Sequence, residues 1–154
     1  MISLKSFIKA INIRYREYQL NPVSRTATIE QIAKIDIYAN PDYDQLNYRK
    51  GLLLALLMDL EIRKRTQGQS TLMDFMKIVV KRFSGPEYYN NLKLQQVAES
   101  MTKSDWEYFF VRYVKGAELV PVANYFSVKK RRDGIRELDE QSPTNIKTIE
   151  SLIH

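Results

Sequence analysis

Cysteine is absent from this 154-residue chain, and histidine occurs once, as His154 at the end of the sequence. Without thiols there is no disulfide, no thiolate nucleophile and no cysteine-ligated metal. A single histidine excludes a His-Glu-x-x-His zinc motif, which needs two histidines one helical turn apart, and it leaves a serine nucleophile without a positioned base. Taken alone, the residue chemistry favours a helical binding or accessory domain over a self-sufficient hydrolase.

Long apolar runs are also missing. The longest, at 52–58, has seven residues, whereas a helix that spans a bilayer needs about 20. The N-terminal residues contain no apolar stretch followed by a small-residue cleavage site, so they do not predict a signal peptide. We expect a soluble protein without a membrane partner. It could be cytoplasmic or periplasmic, because a chain without thiols suits either compartment.

Charge is moderately unbalanced, with 24 Lys and Arg against 18 Asp and Glu, a net charge of +6. A basic balance of this size permits binding to nucleic acid but does not require it. The excess lies partly in the run 129–132, for which a solvated linker is the simpler interpretation, and elsewhere acids are interleaved with bases. We therefore do not expect a nucleic-acid partner. A protein- or nucleic-acid-binding helical module remains the alternative function.

Apolar residues recur at three- and four-residue spacing over most of the chain, which predicts helices rather than strands. The segment 46–66 is apolar on all sides at its centre, as expected of a helix enclosed by its neighbours. Possible helix caps precede several segments, including a capping box at 104–107. The predicted helices cover 3–21, 28–33, 46–66, 71–83, 92–101 and 104–116.

These patterns predict an all-α fold, a single compact bundle of five or six helices around the buried central helix at 46–66. We assign residues 1–127 to this helical subdomain. Residues 128–154 are rich in charge and lack clear periodicity, and so predict a charged tail or linker.

Three motifs stand in order along the chain. Residues 47–63 read Asn-Tyr-Arg-Lys-Gly-Leu-Leu-Leu-Ala-Leu-Leu-Met-Asp-Leu-Glu-Ile-Arg, residues 70–76 read Ser-Thr-Leu-Met-Asp-Phe-Met, and residues 105–116 read Asp-Trp-Glu-Tyr-Phe-Phe-Val-Arg-Tyr-Val-Lys-Gly. The first resembles the Tyr-x-Lys-Gly helix, with its Asp-Leu-Glu-x-Arg ending, of the glycyl-aminopeptidase family of zinc metallopeptidases. The others resemble that family's Ser-Leu-Asp-Asp-Val-Met helix start and Phe-Phe-x-x-Tyr-Val-x-Gly signature. The resemblance covers about residues 3–126, and its first motif is similar to that of the more distant aminopeptidase N and leukotriene A4 hydrolase group.

The resemblance implies that the chain is the helical C-terminal half of a thermolysin-like catalytic domain and forms one wall of its cleft. In those relatives the motif tyrosine hydrogen-bonds the oxyanion that forms when zinc-bound water attacks the peptide carbonyl, and the matching residue is Tyr48. The zinc-binding motif of the family precedes this segment, so the chain has no metal or cofactor site, and zinc is expected only in the complete enzyme. The implied partners are the missing N-terminal zinc-binding half and a peptide substrate with a small N-terminal residue. We expect an expressed fragment of a longer peptidase, or else a truncated or split-gene product, and predict that it is inactive alone.

Most motif residues also have purely structural interpretations. Tyr48 is one of 10 tyrosines and could lie at a core edge with its hydroxyl in water. Lys50 could pair with an acid or a helix end, and Gly51 could permit close helix packing. Asp59 with Arg63, and Glu61 with Arg65, have the spacing of ion pairs along a helix. We expect the remaining aromatic residues to pack in the core: Trp106, Phe109, Phe110 and Tyr113.

Overall fold

The structure, a computed structural model, describes residues 3–35, 39–85 and 88–153, with Asp44 described by its backbone alone. This part of the chain is mostly helical and contains a short antiparallel sheet. No helix in these ranges is long and apolar enough to cross a membrane. The α-helices are α1 (Leu4–Leu20), α2 (Ile29–Ile32), α3 (Pro41–Arg65), α4 (Leu72–Arg82), α5 (Asn91–Thr102), α6 (Glu107–Phe109) and α7 (Pro143–Ile153); a π-helix spans Phe110–Lys115, a 3₁₀ helix Val122–Asn124, and the strands are β1 (Val128–Lys130) and β2 (Arg136–Leu138).

Side-chain caps determine where several helices begin. The Ser3 hydroxyl accepts a hydrogen bond from the Ser6 backbone N–H, as predicted for the start of α1. Thr28 opens α2 and Thr71 opens α4, each through a capping box in which the third helical residue bonds back to the cap. Such bonds satisfy backbone donors that have no partner inside the helix, and each contributes about 1 kcal/mol.

The boundaries of two helices differ from the prediction. α3 begins at Pro41 rather than near residue 46, because proline is well suited to the first turn of a helix, where its missing N–H has no partner to lose. The capping box predicted at 104–107 is not formed. Instead the Asp105 carboxylate accepts from the Glu107 N–H at 2.6 Å, while the Ser104 hydroxyl pairs with that of Thr102 at 2.8 Å.

A cluster of aromatic residues packs in the core, as predicted from the sequence. Trp106 is 0% exposed, and its neighbours Phe109, Phe110 and Tyr113 are buried too. The Trp106 ring meets that of Phe109 edge to face at 5.3 Å, and its indole N–H donates to the Thr102 hydroxyl at 2.8 Å. Edge-to-face pairs add about 0.5–1.5 kcal/mol beyond the area that they bury.

Both predicted ion pairs of α3 are present. Arg63 lies 2.9 Å from Asp59, and Arg65 lies 2.8 Å from Glu61. One residue of each pair also contacts a neighbouring segment of the fold. The second oxygen of Asp59 accepts from the backbone N–H of Leu72 at the start of α4, and the Arg65 guanidinium lies 4.4 Å from the centre of the Trp106 ring.

The segment from residue 128 onward is folded in its described part, which corrects the prediction of a charged tail or linker. β1 and β2 pair in antiparallel register, Val128 with Leu138 and Lys130 with Arg136. Leu138 and Ile149 of α7 are buried in the same core cluster as the helices. The fold class is therefore mostly helical with a β-hairpin rather than all-α. Strands of three residues are too short to show the alternation by which strands are recognised.

Three side-chain amides hold the hairpin in place. Asn12 of α1 exchanges two hydrogen bonds with the backbone of Leu138, at 2.7 and 3.2 Å, and Gln19 does the same with the backbone of Arg136, at 2.7 and 3.0 Å. At the open end of the hairpin, Asn145 of α7 accepts from the Ser127 N–H and donates to the carbonyls of Ser127 and Asp139. The amides of α1 thus occupy the free edge of β2, where another strand would otherwise pair.

The basic run 129–132 is partly neutralised within the hairpin. The ammonium of Lys129 lies 2.7 Å from Asp139, and the guanidinium of Arg131 lies 3.0 Å from Glu137. Two of the four cations that suggested a nucleic-acid site are thus engaged with carboxylates of the same chain.

Candidate functional site

Tyr48 lies near the start of α3 with 72% of its surface exposed. Within the described residues its hydroxyl makes no hydrogen bond. The opposite side of α3 is buried through Leu46, Leu53 and Leu57. The helix is therefore anchored by one side and presents the tyrosine on the other.

The outer side of α3 continues from Tyr48 as an open apolar surface. Leu52 is 44% exposed. A groove of about 250 Å³ separates α3 from α1, and its walls include Phe7, Ile11, Leu52 and Leu56. The prediction that α3 is enclosed on all sides is thus wrong for the described chain, because α1 covers the apolar side at Leu52 only in part. A helix apolar all round is normally covered all round.

The polar end of this surface surrounds Tyr48 itself. A depression of about 490 Å³ is lined by Arg14, Gln45, Tyr48, Arg49 and Leu52. Glu17 joins its two cations, accepting from Arg49 at 2.8 Å and from Arg14 at 2.9 Å. The hydrogen bond from Arg49 is the main cause that lowers the pKa of Glu17. The carboxylate is therefore ionised at neutral pH and holds Arg49 beside the tyrosine.

Lys50 attaches α3 to the end of the π-helix. It is 0% exposed, and its ammonium donates to the carbonyl oxygen of Gly116 at 3.0 Å. Gly116 directly follows the π-helix. Of the two partners suggested for Lys50 from the sequence, an acid or a helix end, the structure therefore shows the helix end. A side chain at 116 has no room, since a Cβ atom would lie 2.5 Å from the Arg112 carbonyl oxygen. Because glycine has no Cβ, it is the residue that fits here and so places the 116 carbonyl within reach of Lys50.

Burial lowers the pKa of Lys50 below that of a free lysine. Because the unfolded chain then binds more protons, stability should rise with pH from the lowered value towards about 10.4, the pKa of an unperturbed lysine. We expect Lys50→Met to reduce this rise, measured as the difference in unfolding free energy between urea titrations at about pH 7 and about pH 10. Lys9, an exposed lysine of α1, gives the matched control Lys9→Met. An unchanged rise in Lys50→Met would contradict the account.

Gly51 does not perform the role that we predicted for it. A Cβ atom at this position would meet nothing within 4 Å, so no neighbouring helix of the described chain requires a glycine there. It lies in the same turns of α3 as Tyr48 and Leu52, where the helix has an open side.

The described residues show no candidate metal site. They contain no group of three or more histidine, aspartate or glutamate side chains placed to hold a metal ion. His154, the single histidine, lies outside the described residues.

The three motifs meet in the structure. The first touches the second where Asp59 accepts from the N–H of Leu72, and it touches the third where Lys50 donates to Gly116. Comparison with models of protein families, with curated proteins and with solved structures gives no match in any of the three. The family resemblance therefore stands on the motif residues alone.

Proposed function

We propose that this chain is the helical half of a zinc aminopeptidase catalytic domain and that Tyr48 is its catalytic residue. The observation that carries the proposal is the position of Tyr48: its phenol stands exposed on a helix whose other side is fixed by buried leucines and by Lys50. The proposal includes a bundle of five or six helices like the helical subdomain of thermolysin-like zinc aminopeptidases. The hairpin and α7 are additions to that bundle.

The chemistry assigned to this chain is a single hydrogen bond. The phenol O–H of Tyr48 donates to the oxygen of the peptide carbonyl as negative charge develops there during hydrolysis. A donor held in place before the reaction stabilises the transition state without reorganising, and the loss of one such donor costs about 2.7–4 kcal/mol. The anchoring of α3 supplies this preorganisation. The metal and its ligands belong to the other half of the domain.

The open side of α3 supports docking of that other half. Leu52 and the groove beside it expose apolar surface in continuity with Tyr48. Burying such surface against a partner is favourable by roughly 25 cal/mol per Å². The same contact would close the site around the phenol and exclude water. The family resemblance implies that the substrates are peptides with a small N-terminal residue such as glycine.

The isolated chain should take up no stoichiometric zinc and hydrolyse no aminoacyl substrate, because its sequence has one histidine and so lacks the two-histidine motif of the family. Metal analysis after dialysis against zinc, together with an aminopeptidase assay, measures both. Co-expression with the coding segment that precedes it should instead yield a complex that contains one zinc and hydrolyses glycyl substrates.

Three outcomes would contradict the proposal. One tightly bound zinc per isolated chain would show that the metal site lies in this chain after all. A preceding segment without a His-Glu-x-x-His motif, or a zinc-loaded complex without peptidase activity, would leave the resemblance as one of fold alone. Leu52→Glu, on the open apolar side, is a useful variant, since it should weaken the complex while the isolated chain stays folded.

A further inference from the structure

Another cavity lies apart from Tyr48. It shares no lining residue with the groove and the depression described above. It has a volume of about 450 Å³ and is bounded by the second half of α1, by the loop 119–124 and by the hairpin. This volume is within the range of small-molecule sites, about 300–1,000 Å³. Its walls carry three cations, Arg25, Lys130 and Arg136, and none of the described residues that line it is an aspartate or a glutamate.

The two hairpin cations, Lys130 and Arg136, face each other across the strands, which is electrostatically unfavourable. Lys130 and Arg136 are direct partners in the β1–β2 register, so their side chains lie on the same face of the sheet. Like charges directly opposite one another destabilise a strand pair. Their neighbour Lys129, on the other face, is paired with Asp139. In the described part of the chain Lys130, Arg136 and Arg25 have no such carboxylate partner.

Beside the apolar residues 119–123, the cavity is lined by polar groups, several of which are held in place by hydrogen bonds. Gln19 fixes the backbone of Arg136 through both its N–H and its carbonyl. Tyr15 and Tyr18, from the same face of α1, present phenols to the cavity, and the Tyr18 oxygen accepts from the Val120 N–H at 3.0 Å. Burial raises the pKa of Tyr18 to about 12, and it also raises that of Tyr15. Both phenols are therefore protonated at neutral pH and keep an O–H for donation.

We propose that this cavity binds the phosphate group of a small phosphorylated molecule. Three cations without a carboxylate leave an excess of positive charge that a single carboxylate ligand would only partly neutralise, whereas a phosphate or a diphosphate supplies two or more negative charges. Guanidinium groups match the oxygens of phosphate through paired N–H donors, and the ammonium adds a point charge. A bound phosphate would also relieve the repulsion between Lys130 and Arg136.

The test uses the 154-residue chain and inorganic pyrophosphate as the probe, titrated by calorimetry at constant ionic strength. We expect saturable binding of one pyrophosphate per chain, with a Kd below about 1 mM, or about −4.1 kcal/mol. Acetate at the same ionic strength should bind at least about tenfold more weakly, since it carries one charge. No saturation with pyrophosphate, or equal binding of acetate, would overturn the proposal.

Variants separate this cavity from the general positive charge of the surface. Arg25→Gln and Arg136→Gln should each weaken pyrophosphate binding about tenfold or more, which corresponds to the loss of a charge-assisted hydrogen bond. Lys9→Gln removes an exposed cation of α1 outside the cavity and should leave Kd within about twofold. Without ligand, Arg136→Gln should unfold at the same temperature as the wild type or higher, because it removes a cross-strand repulsion. Unchanged binding in both cavity variants, or an equal loss in Lys9→Gln, would show that no site exists here.

Discussion

In the zinc aminopeptidase that we propose, Tyr48→Phe should lower kcat by on the order of 10²–10³, with zinc content and stability nearly unchanged. The substitution removes one hydroxyl and leaves the ring. That hydroxyl makes no hydrogen bond within the described residues, and 72% of the residue is exposed, so little folding energy is lost. An interaction made mainly in the transition state appears as a loss in kcat rather than as a rise in KM. Steady-state kinetics and metal analysis on the same preparation measure all three quantities.

Tyr88→Phe supplies the control, because Tyr88 is an exposed tyrosine in a different part of the chain. It should retain wild-type kcat. If Tyr48→Phe also keeps near-normal kcat, or loses activity only in proportion to folded protein, Tyr48 has no catalytic role. The proposal that this chain completes a peptidase site would then lose its central residue.

Asn145→Ala should destabilise the isolated chain by about 2–4 kcal/mol, the largest stability effect that we expect from a single polar residue here. Asn145 is 0% exposed and makes three hydrogen bonds of 2.8–2.9 Å, two to Ser127 and one to the carbonyl of Asp139. Alanine leaves the Ser127 N–H without its acceptor and opens a cavity in the core. The carbonyls of Ser127 and Asp139 each lose one of two donors, since the backbone N–H groups of Asp139 and Ser142 still donate to them. Urea denaturation followed by circular dichroism gives the change in unfolding free energy.

An exposed asparagine provides the comparison for this prediction. Asn47 lies on the surface of α3, and Asn47→Ala should leave stability unchanged or raise it slightly, since alanine is the better helix former. Equal stabilities of the two variants would show that the hairpin and α7 contribute nothing to the cooperative fold. Residues 128–153 would then behave as the tail that the sequence predicts.

Local interactions were largely predictable from the sequence. The caps at Ser3, Thr28 and Thr71 depend on residues three positions apart, and the ion pairs of α3 on residues four positions apart. A helix brings such residues together whatever surrounds it. The burial of the aromatic cluster around Trp106 followed in the same way from apolar periodicity.

Long-range placement was decided only by the tertiary structure. Lys50 meets Gly116 across 66 positions, and Asn12 holds Leu138 across 126. The hairpin cations and Arg25 come to one cavity from segments more than 100 residues apart. The periodicity of the sequence does not predict such pairings, because they depend on how the helices pack together and not on how each helix forms. For the same reason the sequence determined that α3 is an apolar helix that carries Tyr48, and only the packing of its neighbours left the tyrosine on the open side.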